Sequence, residues 1–464
     1  MKKYYLTLLI LLSCLSISVY AQKQETSLKD SAQKMSRKEI KVLIDSLDNA
    51  LHRWYVYQDK VDIMLTNVKK NFQSGDYSKI ENRAELATQL FKDIQQAYND
   101  GHFFIRYNPQ LSEFLEAPIP DSVREQQGRE KGLNEAKENN YGFRKTEILQ
   151  GNVGYIRLDR FYRFIDEAKP TLDGTFRFVS NCRALIIDMR YNGGGTPDMV
   201  LQTQSYFFNE KTRMNDIIDS KNDTIKRWAD PAVTNFKLSM PLYVLTSRYT
   251  FSGAEDFAYG LQQVKRATVI GDTTGGGAHP SGEFSIGQGF VIRIPTHRSF
   301  NLITKTDWEG TGVRPDVAVS SEEALTKAQV LIFTELLAKA KDEEEKQLFQ
   351  WNLKSIENKA LLTKQLQNEN IKITKDALLK YCGYYVASDP NDPSAPFAII
   401  LKENKIYRHF DDGYDDALVP VSTSKFVIDD ESARTIEFEM NKDGEVSDLI
   451  LAKQSGIFKM NKKK

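Results

Sequence analysis

The chain of 464 residues is short of several things, and each shortage removes a class of answer. Its three cysteines, Cys14, Cys182 and Cys382, are too few for a disulfide framework. Lys and Arg number 63 against 63 Asp and Glu, so no basic surplus points to nucleic acid or an anionic membrane as partner. After the N-terminus no apolar run reaches the roughly 18 residues that a spanning helix needs. Gly193-Gly194-Gly195 is not followed by Lys-Ser or Lys-Thr, which removes a phosphate-binding P-loop.

What is present begins with a secretory pattern. Lys2 and Lys3 precede the apolar stretch Leu6 to Val19, and Val19-Tyr20-Ala21 is a small-residue cleavage site, so residues 1–21 read as a signal peptide. The alternative is a retained membrane anchor. A lipid anchor on Cys14 is disfavoured, because Leu12-Ser13 fits lipidation poorly and more apolar sequence follows. The expected location is periplasmic or secreted, with no membrane span after cleavage.

At roughly 150 residues per domain, the length allows about three domains. Ser36-Arg37-Lys38-Glu39 is a capping box, and Ile40, Leu43, Ile44, Leu47, Leu51 and Trp54 follow at helical spacing. Similar spacing recurs through Val61 to Phe72 and Leu86 to Ala97, giving an N-terminal helical domain over 22–110. It closes at Asn99-Asp100-Gly101-His102 and a strand, Phe103 to Tyr107. The polar stretch 111–150 reads as a linker. Residues 151–321 alternate strands (Val153–Leu158, Ala184–Asp188, Leu242–Thr246, Thr268–Ile270, Phe290–Ile294) with helical stretches such as Pro197–Phe208 and Ala254–Val264, which argues an α/β core. A helical connector spans 322–370. Short strands and the hairpin turn Asn441-Lys442-Asp443-Gly444 make 371–464 a small antiparallel β domain. Cys182, just before a core strand, reads as a buried small hydrophobe.

Two segments carry chemistry. A buried strand, Ala184–Asp188, runs through Met189-Arg190-Tyr191-Asn192 into three glycines whose amides can face a ligand. A second strand, Leu242–Thr246, leads to Thr250-Phe251-Ser252-Gly253-Ala254-Glu255, which presents a serine at a helix start. Ser252 could serve as a nucleophile, as an N-cap, or as both. A serine hydroxyl needs a neighbouring base, and His102 is the natural candidate, with an ordinary pKa near 6.5. Asp188 is expected to fix the glycine turn by accepting backbone N–H bonds and Arg190 to pair with a carboxylate. His279 and His297 are candidate substrate contacts or structural residues, and His409 belongs to the tail.

These segments resemble the C-terminal-processing (tail-specific) serine peptidase family. The resemblance lies in Leu185–Gly195, Thr250–Glu255, Val269–Gly277 and Trp308–Asp316, in that order, and covers about residues 99–320. It implies a crotonase/ClpP-like ββα superhelix. Members with a Ser–Lys dyad carry the lysine where this chain has Gly277, and no lysine occurs from Ala267 to Thr304. The better match is the branch typified by the tricorn core protease and the interphotoreceptor retinoid-binding protein. That branch implies Ser252 as nucleophile, His102 as base and Glu309 as orienting carboxylate, with an oxyanion hole from the N–H groups of Gly194 and Gly253. A relay serine before the histidine is replaced here by Gly101, so a water, Asp100 or direct contact with Glu309 must take its place.

The resemblance implies a serine endopeptidase acting on peptides or unfolded proteins, without metal or cofactor; oligomerisation is compatible with it. The alternative is a non-catalytic binding module, because the same branch includes a carrier of lipophilic ligands. Ser252, His102 and Glu309 together favour the enzyme, since a carrier has no chemical need of all three.

Overall fold

A computed structural model describes residues 33–118, 121–368, 371, 373–389, 395–428, 434–453 and 456–463. The expected signal peptide lies outside the described residues. Three helices, Arg37–Trp54, Val61–Ser74 and Arg83–Ala97, open the fold. The first is capped as its sequence requires: Ser36 Oγ accepts from Glu39 N–H, and Glu39 Oε2 accepts from Ser36 N–H. Leu43, Leu47, Leu51, Leu65, Val68, Leu90 and Ile94 meet in one buried cluster.

That cluster does not belong to the helices alone. Phe103, Ile105, Phe290, Ile292 and Ile294 are part of it. Phe104–Tyr107 pairs antiparallel with Phe290–Pro295, which pairs in turn with Ser281–Ser285. Phe290–Ile294, expected among the core strands, thus forms a separate three-stranded sheet on which the helices sit. Five of the six residues of Phe290–Pro295 are buried, Arg293 being the exposed one.

The central sheet has six strands in the order Val317–Ala318, Ala267–Gly271, Leu242–Thr246, Ala184–Asp188, Val153–Leu158, Phe143–Leu149. All neighbours run parallel except the last pair. Ala184–Asp188 and Leu242–Thr246 are buried throughout, as strands covered on both faces must be. The segment read as a linker departs from that reading. It holds helices Pro109–Glu116 and Asp121–Glu138, and its end, Phe143–Leu149, is the antiparallel edge strand. The polar composition that suggested a linker belongs to a helix of almost wholly polar sequence.

Helices Ala324–Ala338 and Glu343–Asn368 follow, and Ile332, Phe333 and Phe349 pack on the sheet face formed by Val153, Ile186 and Tyr243. The tail is an eight-stranded closed antiparallel barrel, sealed by pairing of Gly383–Ala387 with Gly456–Lys463. Tyr385, Phe397, Phe426, Phe438 and Met460 fill it, together with Leu378 and Tyr381 from the short helix Lys375–Tyr381. Within the barrel His409 Nδ1 lies 2.7 Å from Asp415.

Candidate functional site

The C-terminal ends of the two central strands set the site. Asp188 Oδ1 accepts the N–H of Arg190 at 3.0 Å, its carboxylate pairs with the Arg190 guanidinium at 2.7 Å, and Tyr155 Oη donates to it at 2.6 Å. Asp188 therefore fixes the entry to the turn, while the glycines are held by a neighbour. Buried Asn192 donates Nδ2 to Leu158 O at 2.9 Å and accepts the N–H of Gly194 at 2.8 Å. Gly194, at φ +104, has backbone and the Ser252 Cβ within 2.9 Å of where its own Cβ would stand. Only glycine allows that approach.

Ser252 lies at φ 55, ψ −119, immediately before the helix Gly253–Gln263. A non-glycine residue at positive φ costs on the order of 1–3 kcal/mol and persists where its surroundings enforce it. Glu255 does so here, accepting the Ser252 N–H at 2.8 Å. The same carboxylate accepts the N–H groups of Gly276 and Gly277 at 2.7 and 2.8 Å and a short bond from the Thr274 hydroxyl. Burial pushes Glu255 up to about 7 against these four donors.

A cleft of about 200 Å³ adjoins Ser252, with Gly195, Gly253, Gly277, His279 and Trp308 in its wall. The amide of Gly194, expected to face an oxyanion, is engaged by Asn192. The N–H groups of Gly195 and Gly253, both in the cleft wall, have no hydrogen-bond partner among the described residues. A β-carbon on Gly253 would lie 3.1 Å from Gly195 N, so these two amides are close neighbours.

His102 is buried, 4 % exposed, and both ring nitrogens lack a hydrogen-bond partner. Burial pushes it down to about 4, only partly offset by Asp100. Its ring packs on Phe251, centroids 4.8 Å apart, and its Cε1 would stand 2.6 Å from a Cβ on Gly277. His102 Nδ1 is 3.9 Å from Glu309 Oε2, and that oxygen accepts the Ala278 N–H at 2.6 Å. Burial, against His279 and the Ala278 N–H, pushes Glu309 up to about 7.

His279 is the residue whose place sequence reasoning left open. Its Nδ1 is 3.1 Å from Asp100 Oδ2 and 3.4 Å from Glu309 Oε2, and its Nε2 is 3.2 Å from Tyr57 Oη. Burial opposes its protonation, but the hydrogen bond to Asp100 and the charge of Glu309 prevail and raise its pKa. Asp100 also accepts the His102 N–H at 2.9 Å and the Tyr55 hydroxyl at 2.9 Å. Despite burial, these hydrogen bonds hold its carboxyl below the ordinary range. The position of Asp100 two residues before His102 was the available signal, because a short acidic side chain there can fold back on the next amides. His297 lies on the strand His297–Phe300 and bonds Thr296 Oγ1 at 2.8 Å. Cys182 is buried and unpaired.

Residues 152–319 match peptidase family S41, and residues 31–138 match the N-terminal domain of Peptidase S41 in eukaryotic IRBP. A carboxy-terminal-processing protease of Bartonella bacilliformis is 25% identical over 174 residues, 37% of this chain and 39% of that protein. Carboxyl-terminal-processing peptidase 2, chloroplastic, of Arabidopsis thaliana is 29% identical over 169 residues, 35% of this chain and 31% of that protein. The chain thus spans under two fifths of either relative. A lipoprotein structure from Streptococcus agalactiae superposes with a TM-score of 0.46 at 15% identity, over 64% of this chain and 96% of that one.

Proposed function

Because residues 152–319 match peptidase family S41, we propose that this protein is a periplasmic or secreted serine endopeptidase that cleaves peptides or unfolded proteins. Among the described residues no helix is long and apolar enough to cross a membrane. The observation that carries the proposal is Ser252, held at positive φ on a helix start and facing a cleft with two free amides. Ser252 Oγ attacks the scissile carbonyl and passes its proton to His102 Nε2. The oxyanion receives the N–H groups of Gly195 and Gly253, each such donor being worth about 3 kcal/mol in the transition state. His102 then protonates the leaving amine, and water hydrolyses the acyl-enzyme by the reverse proton path.

Glu309, facing Nδ1 of His102, orients the ring and stabilises its cation. His279 takes the place of the relay hydroxyl missing at Gly101. As a cation between Asp100 and Glu309, it neutralises carboxylate charge that burial would otherwise penalise and fixes Glu309 toward His102.

A fluorophosphonate should label Ser252 in the wild-type protein, and Ser252→Ala should abolish both labelling and peptide cleavage. An unlabelled wild-type protein that still binds a lipophilic or peptide ligand would move the conclusion to a binding module, a reading favoured by the absence of a hydrogen bond on either His102 nitrogen.

A further inference from the structure

The carboxylates of Asp100 and Glu309 converge beside the His102 ring. One donor atom from each of Asp100, His102 and Glu309 lies within 4.8 Å of the others. Tetrahedral zinc, with bonds of about 2.0–2.1 Å, needs its ligand atoms about 3.3 Å apart. His102 Nδ1 and Glu309 Oε2, at 3.9 Å, are within a small side-chain rotation of that spacing. His102 is the decisive member, because a buried imidazole with neither nitrogen hydrogen-bonded has an unmet need for a partner. A second cleft of about 610 Å³ has Asp100, Gly101, His102 and Arg293 in its wall. The exposed Arg293 at its rim is tied to Ser281 Oγ at 2.9 Å. His279 Nδ1 also faces both carboxylates, 3.1 Å from Asp100 Oδ2 and 3.4 Å from Glu309 Oε2, so an ion held by them with His102 competes with His279 for the same oxygens. The remaining close histidine–carboxylate pairs, His52–Asp48 and His409–Asp415, are more exposed and offer one carboxylate each.

We propose that Asp100, His102 and Glu309 form a binding site for a zinc-class divalent ion that reversibly inhibits this protein. Imidazole and carboxylate oxygens suit zinc, whereas calcium and magnesium take oxygen ligands and higher coordination numbers. The inhibitory step follows from the proton count of imidazole. A neutral ring carries one N–H, so ligation through Nδ1 leaves the proton on Nε2, and Ser252 then has no acceptor. The ion also removes Glu309 from the ring. Coordination bonds form, water of hydration leaves the ion, and His279 gives up its hydrogen bond to Asp100 and releases to solvent the proton it carried between the two carboxylates. The inhibitory half rests on the proposed peptidase reading; the binding half does not.

The test uses the full chain carrying Ser252→Ala, titrated with Zn²⁺ by calorimetry and with Co²⁺ by its visible tetrahedral bands. One ion per chain is expected. His102→Ala, and separately Glu309→Gln, in that background should weaken binding at least tenfold, whereas His52→Ala with His409→Ala should leave it unchanged. Circular dichroism on each variant separates lost binding from lost folding, and His102→Asn stands in if the alanine variant does not fold. In the wild-type protein Zn²⁺ should slow fluorophosphonate labelling at least tenfold, EDTA should restore it, and Mg²⁺ should do neither. No binding to the Ser252→Ala chain, or binding unaffected by both His102→Ala and Glu309→Gln, overturns the site. Binding in a wild-type protein that never labels leaves the metal site standing and removes the peptidase.

Discussion

Glu255 sits beneath Ser252 with four donors on its carboxylate, and burial still pushes it up to about 7 from an ordinary 4.5. The native state therefore holds a proton that the unfolded chain releases above about pH 4.5. Stability from this group is fully present below 4.5 and lost as pH rises to about 7, an effect of order 3 kcal/mol. Urea denaturation of the wild-type protein and of Glu255→Gln from pH 4 to 8 should differ by that decline, because the opposing contributions of Glu309 and His102 are common to both. Chemistry has its own pH signature. In the proposed mechanism the productive form has His102 neutral and Glu309 ionised, and these are placed at about 4 and about 7. In EDTA, kcat/KM should rise through an apparent pKa near 7. Glu309→Gln should lower the plateau and leave only a limb nearer 4; an unmoved limb near 7 would assign it elsewhere. His279→Asn should lower kcat with little change in KM and shift the same limb, which mere loss of packing would not do. At this scale the sequence made Ser252, His102 and Glu309 nameable through their motifs. It did not separate Gly194 from Gly195, because that depends on which amide Asn192 accepts, and the three-dimensional placement of His279 against Asp100 was out of reach of spacing.

The turn elements bear on why the proposed base is a histidine and not a lysine at position 277. A Cβ on Gly277 would stand 2.2 Å from Phe251 Cζ and 2.6 Å from His102 Cε1. The histidine and a side chain at 277 therefore compete for the same volume. Gly277→Ala should cost about 1–3 kcal/mol of stability by overpacking and cut kcat/KM at least a hundredfold as the His102 ring is displaced. Gly277→Lys should not restore activity to a His102→Ala protein, and recovery would show that the two bases can exchange in place. Elements of strong local character were legible: the capped helix Arg37–Trp54 and the continuous apolar strands Ala184–Asp188 and Leu242–Thr246 fall where the pattern put them. Phe143–Leu149 was not, since an edge strand with exposed Arg144, Lys145 and Ile148 shows neither an apolar run nor clean alternation. Phe290–Pro295 had the right pattern, but a strand's sheet is chosen by long-range pairing that local sequence does not encode.

At the scale of the whole molecule, the site is assembled from residues between Tyr55 and Glu309, and the barrel keeps a buried cluster of its own. A chain ending at Asn368 should fold, as judged by circular dichroism, and still react with fluorophosphonate at Ser252, while turnover of large substrates falls. A folded but unlabelled shortened chain would mean that the tail completes the site. Closure of the barrel was the least legible feature, because it depends on Gly383–Ala387 finding Gly456–Lys463 across the whole tail. That closure has a consequence for a molecule that lives among copies of itself. A peptidase cleft must grip an extended backbone whose amides and carbonyls are free, and a barrel strand has spent both edges on its neighbours. If the proposed peptidase activity holds, the tail offers it nothing to grip along its strands, so self-digestion should begin elsewhere in the chain and the barrel should survive as the longest-lived fragment of an ageing preparation.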